Sequence, residues 1–275
     1  KALKDKNIVS RCEKDVAGSL WTDRPKMPGN PVSILPEEIC GKSVGQKLAQ
    51  VREKMREMGC TAHLLSKLDD LMWLLNIRGK DIAYNPVALS YGYFTMTEAW
   101  LFLQKQAVSD ELCRYAEENG ITIKEYDEIT AFLGDVREGK VLLDESNVSY
   151  ALYRILRDKA EIAADDNPTE KLKAVKNPVE LSHMEEVYLK DSAALTKFIY
   201  WLKTNIGKIP MNEYTAAMRL DDMRREVEGF LDLSFPTISG YQENAAMMHY
   251  EATETENKEL RAEGMLLVDS GGQYL

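Results

Sequence analysis

The sequence has few of the residues that build the most easily recognised reactive centres. It contains four cysteines and three histidines among 275 residues. No two cysteines form a CxxC pair, and no histidine lies near them at zinc-finger spacing. Widely separated thiols in a chain of this length are typical of a reducing cytoplasm. The cysteines are Cys12, Cys40, Cys60 and Cys113.

Long apolar runs and familiar binding motifs are also absent. Apolar runs such as "MLLV" and "LMWLL" are far shorter than the roughly 18 residues that cross a bilayer. No secretory signal is present. The patterns GxGxxG, Walker A, HExxH and GxSxG do not occur. The formal charge of -10 argues against a nucleic-acid partner, which requires clustered Lys and Arg.

The composition is that of an ordinary globular protein, with 44% hydrophobic and 29% charged residues. A chain of 275 residues favours two domains. The opening "KALKDKNIVSRCEKD" starts with Lys1 and is polar and irregular. This indicates that the chain begins inside a longer protein and is a segment of it. Residues 21–36 hold four of the nine prolines, so we interpret residues 1–37 as a linker or extended arm.

Residues 38–168 alternate between predicted helices and strands. Apolar residues at helical spacing precede Gly59 in the first of these helices, which predicts an amphipathic helix with a glycine at its end. The segment "CTAHLLSK" then predicts a strand. Strands interleaved with helices in this way predict an α/β domain with a mixed or parallel sheet. The apolar residues of the helix are Val44, Leu48, Val51 and Met55.

Residues 169–275 predict an α+β arrangement of two helices followed by strands. Asn177 can cap the first helix, Pro178 is suited to its first position, and Glu180 supports its first turn. The segments "GFLDLSFPTISG", "AAMMHY" and "GMLLVDSGG" are predicted as strands or extended segments. One broad apolar face of the first helix is formed by Val187, Leu195, Phe198, Ile199 and Leu202.

Asp269 is the most informative polar residue, because it ends the apolar run "MLLVD". On a buried strand it would share a face with Met265 and Leu267, and a lone buried carboxylate must be protonated, hydrogen-bonded or bound to a metal. Gly271 and Gly272 permit positive φ and a tight reversal, so the strand is expected to turn back shortly after Tyr274, and the returning strand could bring a second carboxylate for a two-metal site. The alternative is an aspartate that simply initiates a turn.

His249 ends the predicted strand "AAMMHY", twenty residues before Asp269. An imidazole in this place could orient a substrate carbonyl or stabilise a developing oxyanion. A core histidine that binds a backbone carbonyl is an equally good interpretation. We assign His63, in a predicted buried strand, and His183, near the start of a helix, to structural roles.

An ordered series of segments resembles the cytosolic-type, three-domain Xaa-Pro aminopeptidases, also called aminopeptidase P. The segments are "LWTDRP", "NIRGKDIAYNPVALSY", "KAVKNPVEL", "LDLSFPTISG", "MMHY" and "LLVDSGGQY". The resemblance implies that the first family domain lies before Lys1 and that residues 38–168 are the second, creatinase-N-like domain. It also implies that residues 169–275 are the first part of a pita-bread catalytic domain, an incomplete α+β unit.

The resemblance also implies roles for individual residues. Asp269, in "DSG", corresponds to a ligand of a dinuclear Mn²⁺ site, and His249, in "HY", to a histidine that contacts the substrate near the scissile bond. Phe235 corresponds to a position near the substrate pocket. The remaining metal ligands of the family correspond to positions after Leu275. No other residue of the chain is assigned a catalytic role.

The expected parent protein is therefore a manganese-dependent hydrolase that releases the N-terminal residue from peptides with proline second. It is expected in the cytoplasm, as a homodimer, with no membrane or nucleic-acid partner, and the 275-residue segment alone is expected to be inactive. A prolidase or creatinase is one alternative, and a non-catalytic binding homologue is another.

Overall fold

The computed structural model describes residue 6, residues 16–137 and residues 139–275. Cys12 and the polar opening segment, apart from residue 6, lie outside the described residues. The described part of the predicted arm contains helix α1 (Val16–Leu20) and then little regular structure as far as strand β1 (Ser33–Ile34). The arm contacts the rest of the chain at Asn30, whose backbone N–H donates to the Asp81 carboxylate at 2.8 Å.

A six-stranded mixed sheet forms the centre of the first part of the chain. Its strands lie in the order β6-β5-β4-β2-β7-β8. The β2–β4 and β4–β5 pairs are antiparallel, whereas β2–β7, β5–β6 and β7–β8 are parallel. This confirms the predicted mixed α/β sheet. The strands are β2 (Ala62–Leu65), β4 (Ser90–Thr95), β5 (Ala99–Leu103), β6 (Ile121–Glu125), β7 (Lys140–Leu143) and β8 (Glu161–Ala164), and a separate strand β3 (Ile77–Arg78) pairs with β1.

Helices cover both faces of this sheet. The predicted amphipathic helix is confirmed: its four apolar residues are all buried, and Gly59 follows its end with φ of 66°. Its start is fixed by a capping box between Ser43 and Gln46, which satisfies backbone N–H groups that the helix cannot pair. The helices are α2 (Glu37–Cys40), α3 (Val44–Glu57), α4 (Leu68–Leu74), α5 (Asp110–Glu118), α6 (Ile129–Asp135), α7 (Tyr150–Arg157) and α8 (Pro168–Ala174).

The two faces of the sheet bury separate apolar clusters. Leu65 packs with Val51 of α3 on one side, whereas Leu64 packs with Val141 on the other. His63 precedes both leucines on β2 and is fully buried, with Nδ1 3.0 Å from the Leu142 carbonyl oxygen. Its predicted place in a buried strand is confirmed. Burial lowers the pKa of His63 to about 4, because a charged imidazole loses its hydration there.

Two helices form one layer of the second part: α9 (Pro178–Asn205) and α10 (Glu213–Arg225). Asn177 caps α9 as predicted, with its side chain accepting from the backbone N–H groups of Val179 and Glu180. Phe198 is buried against α10, but the predicted apolar face is only partly covered, since Ile199 is 43% exposed. Among the described residues, no helix is both long enough and apolar enough to span a membrane.

A twisted antiparallel ribbon forms the other layer. Strand β10 (Ile238–Tyr241) pairs with β11 (Leu266–Asp269), and β9 (Phe230–Leu233) pairs with β12 (Gly272–Tyr274). Because β9 leads to β10 and β11 leads to β12, the two pairs are consecutive parts of one ribbon. Its inner face packs on α9 and α10, where Leu266 and Val268 contact the apolar cluster around Phe198.

The chain does not reverse at Gly271 and Gly272, so the expectation of a tight turn at these glycines was wrong, whereas the return of the strand shortly after Tyr274 stays a prediction. After β11 the backbone continues in the same direction into β12. It does so because β11 pairs with β10 and the next strand, β12, pairs with β9. Neither glycine has a positive φ. The reversal was expected from the flexibility of glycine alone, whereas Gly271 serves the close approach of Ser234 from the opposite side of the ribbon.

Candidate functional site

Asp269 ends β11 on the outer face of the ribbon, directly opposite Ile238. It shares this face with Met265 and Leu267, as the alternation of a strand requires. The expectation of a buried strand was wrong for this face: Met265 is 74% exposed and Leu267 is 41% exposed, and the Asp269 side chain is also exposed. The two helices cover only the inner face, so in this chain the Asp269 carboxylate is open to water.

A two-residue bulge lies next to Asp269. Leu233 pairs with Gly272 and Ile238 pairs with Asp269, so four residues on one strand oppose two on the other. The longer side of this bulge holds Phe235, which is half-buried. A Cβ atom added to Gly271 would stand 2.3 Å from Ser234 Oγ and 3.7 Å from Phe235 Cε1. The glycine therefore lets the bulge close beside Asp269.

Helix α10 also holds the bulge in place, through a side-chain hydrogen bond. The hydroxyl of Thr237 donates to a carboxylate oxygen of Asp221 at 2.6 Å, and both residues are buried. Burial raises the pKa of the Asp221 carboxyl, although the Thr237 hydrogen bond acts in the opposite direction. The bulge is thus held by a buried polar contact in addition to strand pairing.

The segment "AAMMHY" is not a strand, and this prediction was wrong. Residues Gln242–Ala246 form a 3-10 helix and a turn follows. His249 lies in that turn, exposed, with φ of 58°. Positive φ is incompatible with a strand. The backbone leaves the sheet here because Asn244 and Tyr250 donate hydrogen bonds to a buried carboxylate, that of Glu213.

A second polar network, centred on the buried Arg224, fixes β12. Arg224 donates to both carboxylate oxygens of Asp191, at 2.7 and 3.2 Å, and the Tyr274 hydroxyl donates to the same carboxylate at 2.6 Å. Burial by itself would raise the pKa of Asp191, but the hydrogen bonds from Arg224 and Tyr274 outweigh it and hold the pKa below its usual value. Helices α9 and α10 and strand β12 therefore meet at one bidentate ion pair.

A loop between β3 and β4, in the first part of the chain, contacts the same ribbon. Gln273, two residues before the end of the chain, donates from Nε2 to the Tyr84 carbonyl oxygen at 3.5 Å. The loop is held in shape by Asp81, which accepts hydrogen bonds from the backbone N–H groups of Asn30 and Leu89 at 2.8 Å each. A rigid loop of the first region therefore borders the ribbon that carries Asp269.

The described residues do not complete a metal site. Nowhere in residues 16–137 and 139–275 do three or more His, Cys, Asp or Glu side chains group closely enough to hold an ion. Asp269 offers carboxylate oxygens, which are ligands that Mn²⁺ accepts well. The Asp269 carboxylate is therefore the right type of ligand for a dinuclear metal site, but one carboxylate is too few ligands for two ions. No catalytic step follows from this chain alone.

The sequence analysis missed Glu213, Asp221 and the Asp191–Arg224 pair. Glu213 follows a capping asparagine at the start of α10, where acidic residues are common for helix stability alone. Arg224 lies in a run of charged residues that predicts a solvated helix face. Their buried roles depend on strands far along the chain, and the sequence contains no local pattern that would have identified them.

Comparison with known families divides the chain into two matched regions. Residues 23–180 match the family described as Creatinase/Prolidase N-terminal domain. Residues 182–275 match Metallopeptidase family M24.

Curated relatives are similar over nearly the whole chain. A protein of Metarhizium acridum named "Probable Xaa-Pro aminopeptidase P" is 35% identical over 290 residues, which cover 98% of this chain and 45% of that protein. Xaa-Pro aminopeptidase app-1 of Caenorhabditis elegans is 32% identical over 270 residues, which cover 94% of this chain and 44% of that protein. The chain thus spans less than half the length of these relatives.

Solved structures agree with this similarity. The X-prolyl aminopeptidase of Caenorhabditis elegans, described as a cytosolic enzyme with a di-nuclear active site, superposes with a TM-score of 0.91 at 31% identity. The superposition covers 99% of this chain and 46% of that one. A Bacillus anthracis Xaa-Pro dipeptidase superposes with a TM-score of 0.61 at 18% identity over 84% of this chain and 62% of that one, which shows a shared fold only. The predicted order, a mixed-sheet creatinase-N-like domain followed by part of a pita-bread unit, is confirmed.

Proposed function

Because this chain belongs to the creatinase/prolidase N-terminal domain family and continues into a metallopeptidase M24 match, we propose that its parent protein is a metal-dependent Xaa-Pro aminopeptidase. The reaction is hydrolysis of the bond between the first residue of a peptide and a proline in second position. The observation that carries the proposal is similarity along 98% of the chain to a protein named for this activity. We expect the parent activity to require further metal ligands besides Asp269, since the described residues contain no group of three or more such side chains.

Within this proposal, Asp269 is one ligand of a metal site and His249 is a substrate-binding residue. Three features support the role of Asp269: it is accessible, its strand is paired with β10 and followed by the bulge, and the same bulge holds Phe235. The role of His249 is supported by its exposure in the turn. Manganese is the proposed metal, with two ions per site. Bound metal would supply an activated water nucleophile, and the chain's own contribution is to hold one carboxylate at the end of a rigid strand.

The proposal extends to organisation and partners. Residues 38–168 would be the second, creatinase-N-like domain, residues 169–275 the first part of the peptidase domain, and residues 1–37 an arm. The parent would act in the cytoplasm as a homodimer on peptides with proline second. The support for location is the relative described as cytosolic. The 275-residue chain alone would be inactive, since one carboxylate cannot hold two ions.

The test is an assay of the full-length parent protein, purified, stripped with a chelator and then supplied with Mn²⁺. We expect Mn²⁺ to restore release of the first residue from a tripeptide of the form Xaa-Pro-Xaa. A preference for an Xaa-Pro dipeptide over the tripeptide would instead indicate a prolidase. Absence of cleavage of both peptides, in the presence of each of several divalent ions, would favour a non-catalytic binding homologue.

A further inference from the structure

One buried carboxylate holds the whole segment that carries His249. Glu213, the first residue of α10, is completely buried. It accepts hydrogen bonds from the backbone N–H groups of Tyr241 and Lys258, at 2.6 and 2.7 Å. These two residues flank the segment 242–257, here called the His249 loop, on its two sides. A single side chain therefore closes the loop at its base.

The same carboxylate also binds the inside of the loop. The Tyr250 hydroxyl donates to Glu213 at 2.5 Å, and Asn244 Nδ2 donates to both carboxylate oxygens at 3.0 and 3.1 Å. Asn244 Nδ2 also lies 3.1 Å from the Tyr250 hydroxyl, which joins the three side chains in one network. Because Tyr250 directly follows His249, the network fixes the backbone on one side of the imidazole.

The His249 backbone requires such a network. Its φ of 58° lies in the left-handed region, which costs a non-glycine residue free energy and persists only where the surroundings determine it. Gln242, at the start of the loop, also has a positive φ, of 53°. Two such residues in a short exposed segment indicate a loop held in one conformation by its anchors.

The anchor has to be a charged acceptor. The donors that meet at Glu213 are two backbone N–H groups, a hydroxyl and an amide NH₂, so every partner donates a hydrogen bond to the carboxylate and none accepts one from it. A carboxylate can satisfy all of them, whereas a glutamine would turn its own NH₂ group towards a donor. A buried carboxylate without these partners would be strongly unfavourable. Alternative loop conformations that break the network are therefore disfavoured.

We propose that Glu213 is a positioning residue that sets the conformation of the His249 loop, so that the imidazole is presented to the bound peptide in one orientation. The inference rests on the proposed function for its substrate, an Xaa-Pro peptide. Glu213 itself is buried and touches no substrate, and it acts only through His249. Substitution of Glu213 should therefore lower catalytic efficiency only in a protein that retains the His249 imidazole.

A double-mutant cycle in the manganese-loaded full-length protein tests this directly. The variants are Glu213→Gln, His249→Asn and both together, since asparagine tolerates the left-handed backbone. We expect Glu213→Gln to lower kcat/KM for an Xaa-Pro tripeptide by about tenfold or more, with most of the loss in kcat. In the His249→Asn background the same change should cost less than about twofold. Equal losses in both backgrounds would overturn the proposal, because they would indicate a general structural role.

Matched control variants show whether a loss of activity comes from misfolding of the protein. Glu180 also lies in the first turn of a helix and accepts hydrogen bonds, from Asn177 N–H and Trp73 Nε1, so Glu180→Gln is the control and should leave kcat/KM within about twofold. If Glu213→Gln does not fold, Tyr250→Phe replaces it in the cycle. Its control is Tyr115→Phe, which removes a hydroxyl that donates to the Leu75 carbonyl.

Hydrogen exchange separates this proposal from the proposed function. In Glu213→Gln, amides of residues 242–258 should exchange at least about tenfold faster than in the unsubstituted protein, and in Glu180→Gln they should not. This result is expected whether or not the protein cleaves Xaa-Pro peptides. Unchanged exchange in the loop would overturn the positioning role even in an active enzyme.

Discussion

Gly271 and Ser234 stand opposite each other so closely that a Cβ atom on the glycine would lie 2.3 Å from the serine Oγ. Gly271→Ala should therefore displace the Ser234 hydroxyl or shift the bulge beside Asp269, at a cost of about 1 to 3 kcal/mol in the free energy of unfolding. Removing the serine hydroxyl should recover much of that loss, because the next nearest atom, Ser234 Cβ, would lie at 3.5 Å. Thermal unfolding of Gly271→Ala, Ser234→Ala and the double variant measures both effects.

A glycine in open space provides the control for this experiment. A Cβ at Gly134, within helix α6, meets no atom within 4 Å. Gly134→Ala should therefore raise the unfolding temperature slightly, since alanine is the better helix former by about 1 kcal/mol. If Ser234→Ala fails to rescue Gly271→Ala, the close contact is not the reason for the glycine.

Replacing the buried arginine of α10 should lower the free energy of unfolding far more than replacing the arginine that follows it in the chain. Arg224 is 1% exposed and pairs with Asp191, so Arg224→Met leaves a half-buried carboxylate without its cation and should cost about 3 kcal/mol or more. Arg225→Met breaks only an exposed pair with Asp222 and should cost about 1 kcal/mol or less. Urea unfolding measures both, and hydrogen exchange of residues 272–274 reports whether β12 has loosened. Equal costs for the two variants would contradict the role assigned to the Asp191 pair.

Acid should destabilise the sheet region through His63. Its pKa is lowered by burial from 6.5 to about 4 in the folded state, so the unfolded chain binds a proton first as the pH falls. The stability is therefore present above pH 6.5 and is lost between pH 6.5 and about 4, with a loss on the order of 2 kcal/mol at pH 5. Urea unfolding at pH 7 and pH 5 measures it. The control is His63→Leu, which should be less stable at pH 7 but should lose much less on acidification.

Asp269 should contribute to metal affinity in the full-length protein. Asp269→Asn removes a charged oxygen ligand from an accessible strand end, and we expect Mn²⁺ affinity to fall by at least about tenfold. Asp222→Asn, on the exposed face of α10, changes the net charge equally and should have little effect. Isothermal titration of the chelator-stripped proteins compares the two variants. Equal affinities in both would remove Asp269 from the proposed metal site.

Local patterns determined those features of the fold that depend on nearby residues. The helix Val44–Glu57 and the start of Pro178–Asn205 follow from apolar spacing and capping residues. Alternating helices and strands gave the mixed sheet, since such segments can bury apolar surface only by layering. The motif "DSGG" singled out Asp269, although its exposure was predicted wrongly because no local pattern records which face of a strand the helices cover.

The sequence by itself therefore determined the main helices and the fold class, and it singled out Asp269 and His249 as the candidate site residues. Only the tertiary structure decided that β12 pairs with β9, that Gly271 serves a close contact, and that one carboxylate at Glu213 anchors the His249 loop. Helix propensity and capping act within a few residues, whereas the partners of a strand edge or a buried charge come from segments distant in the chain. Those partners become neighbours only when the chain packs.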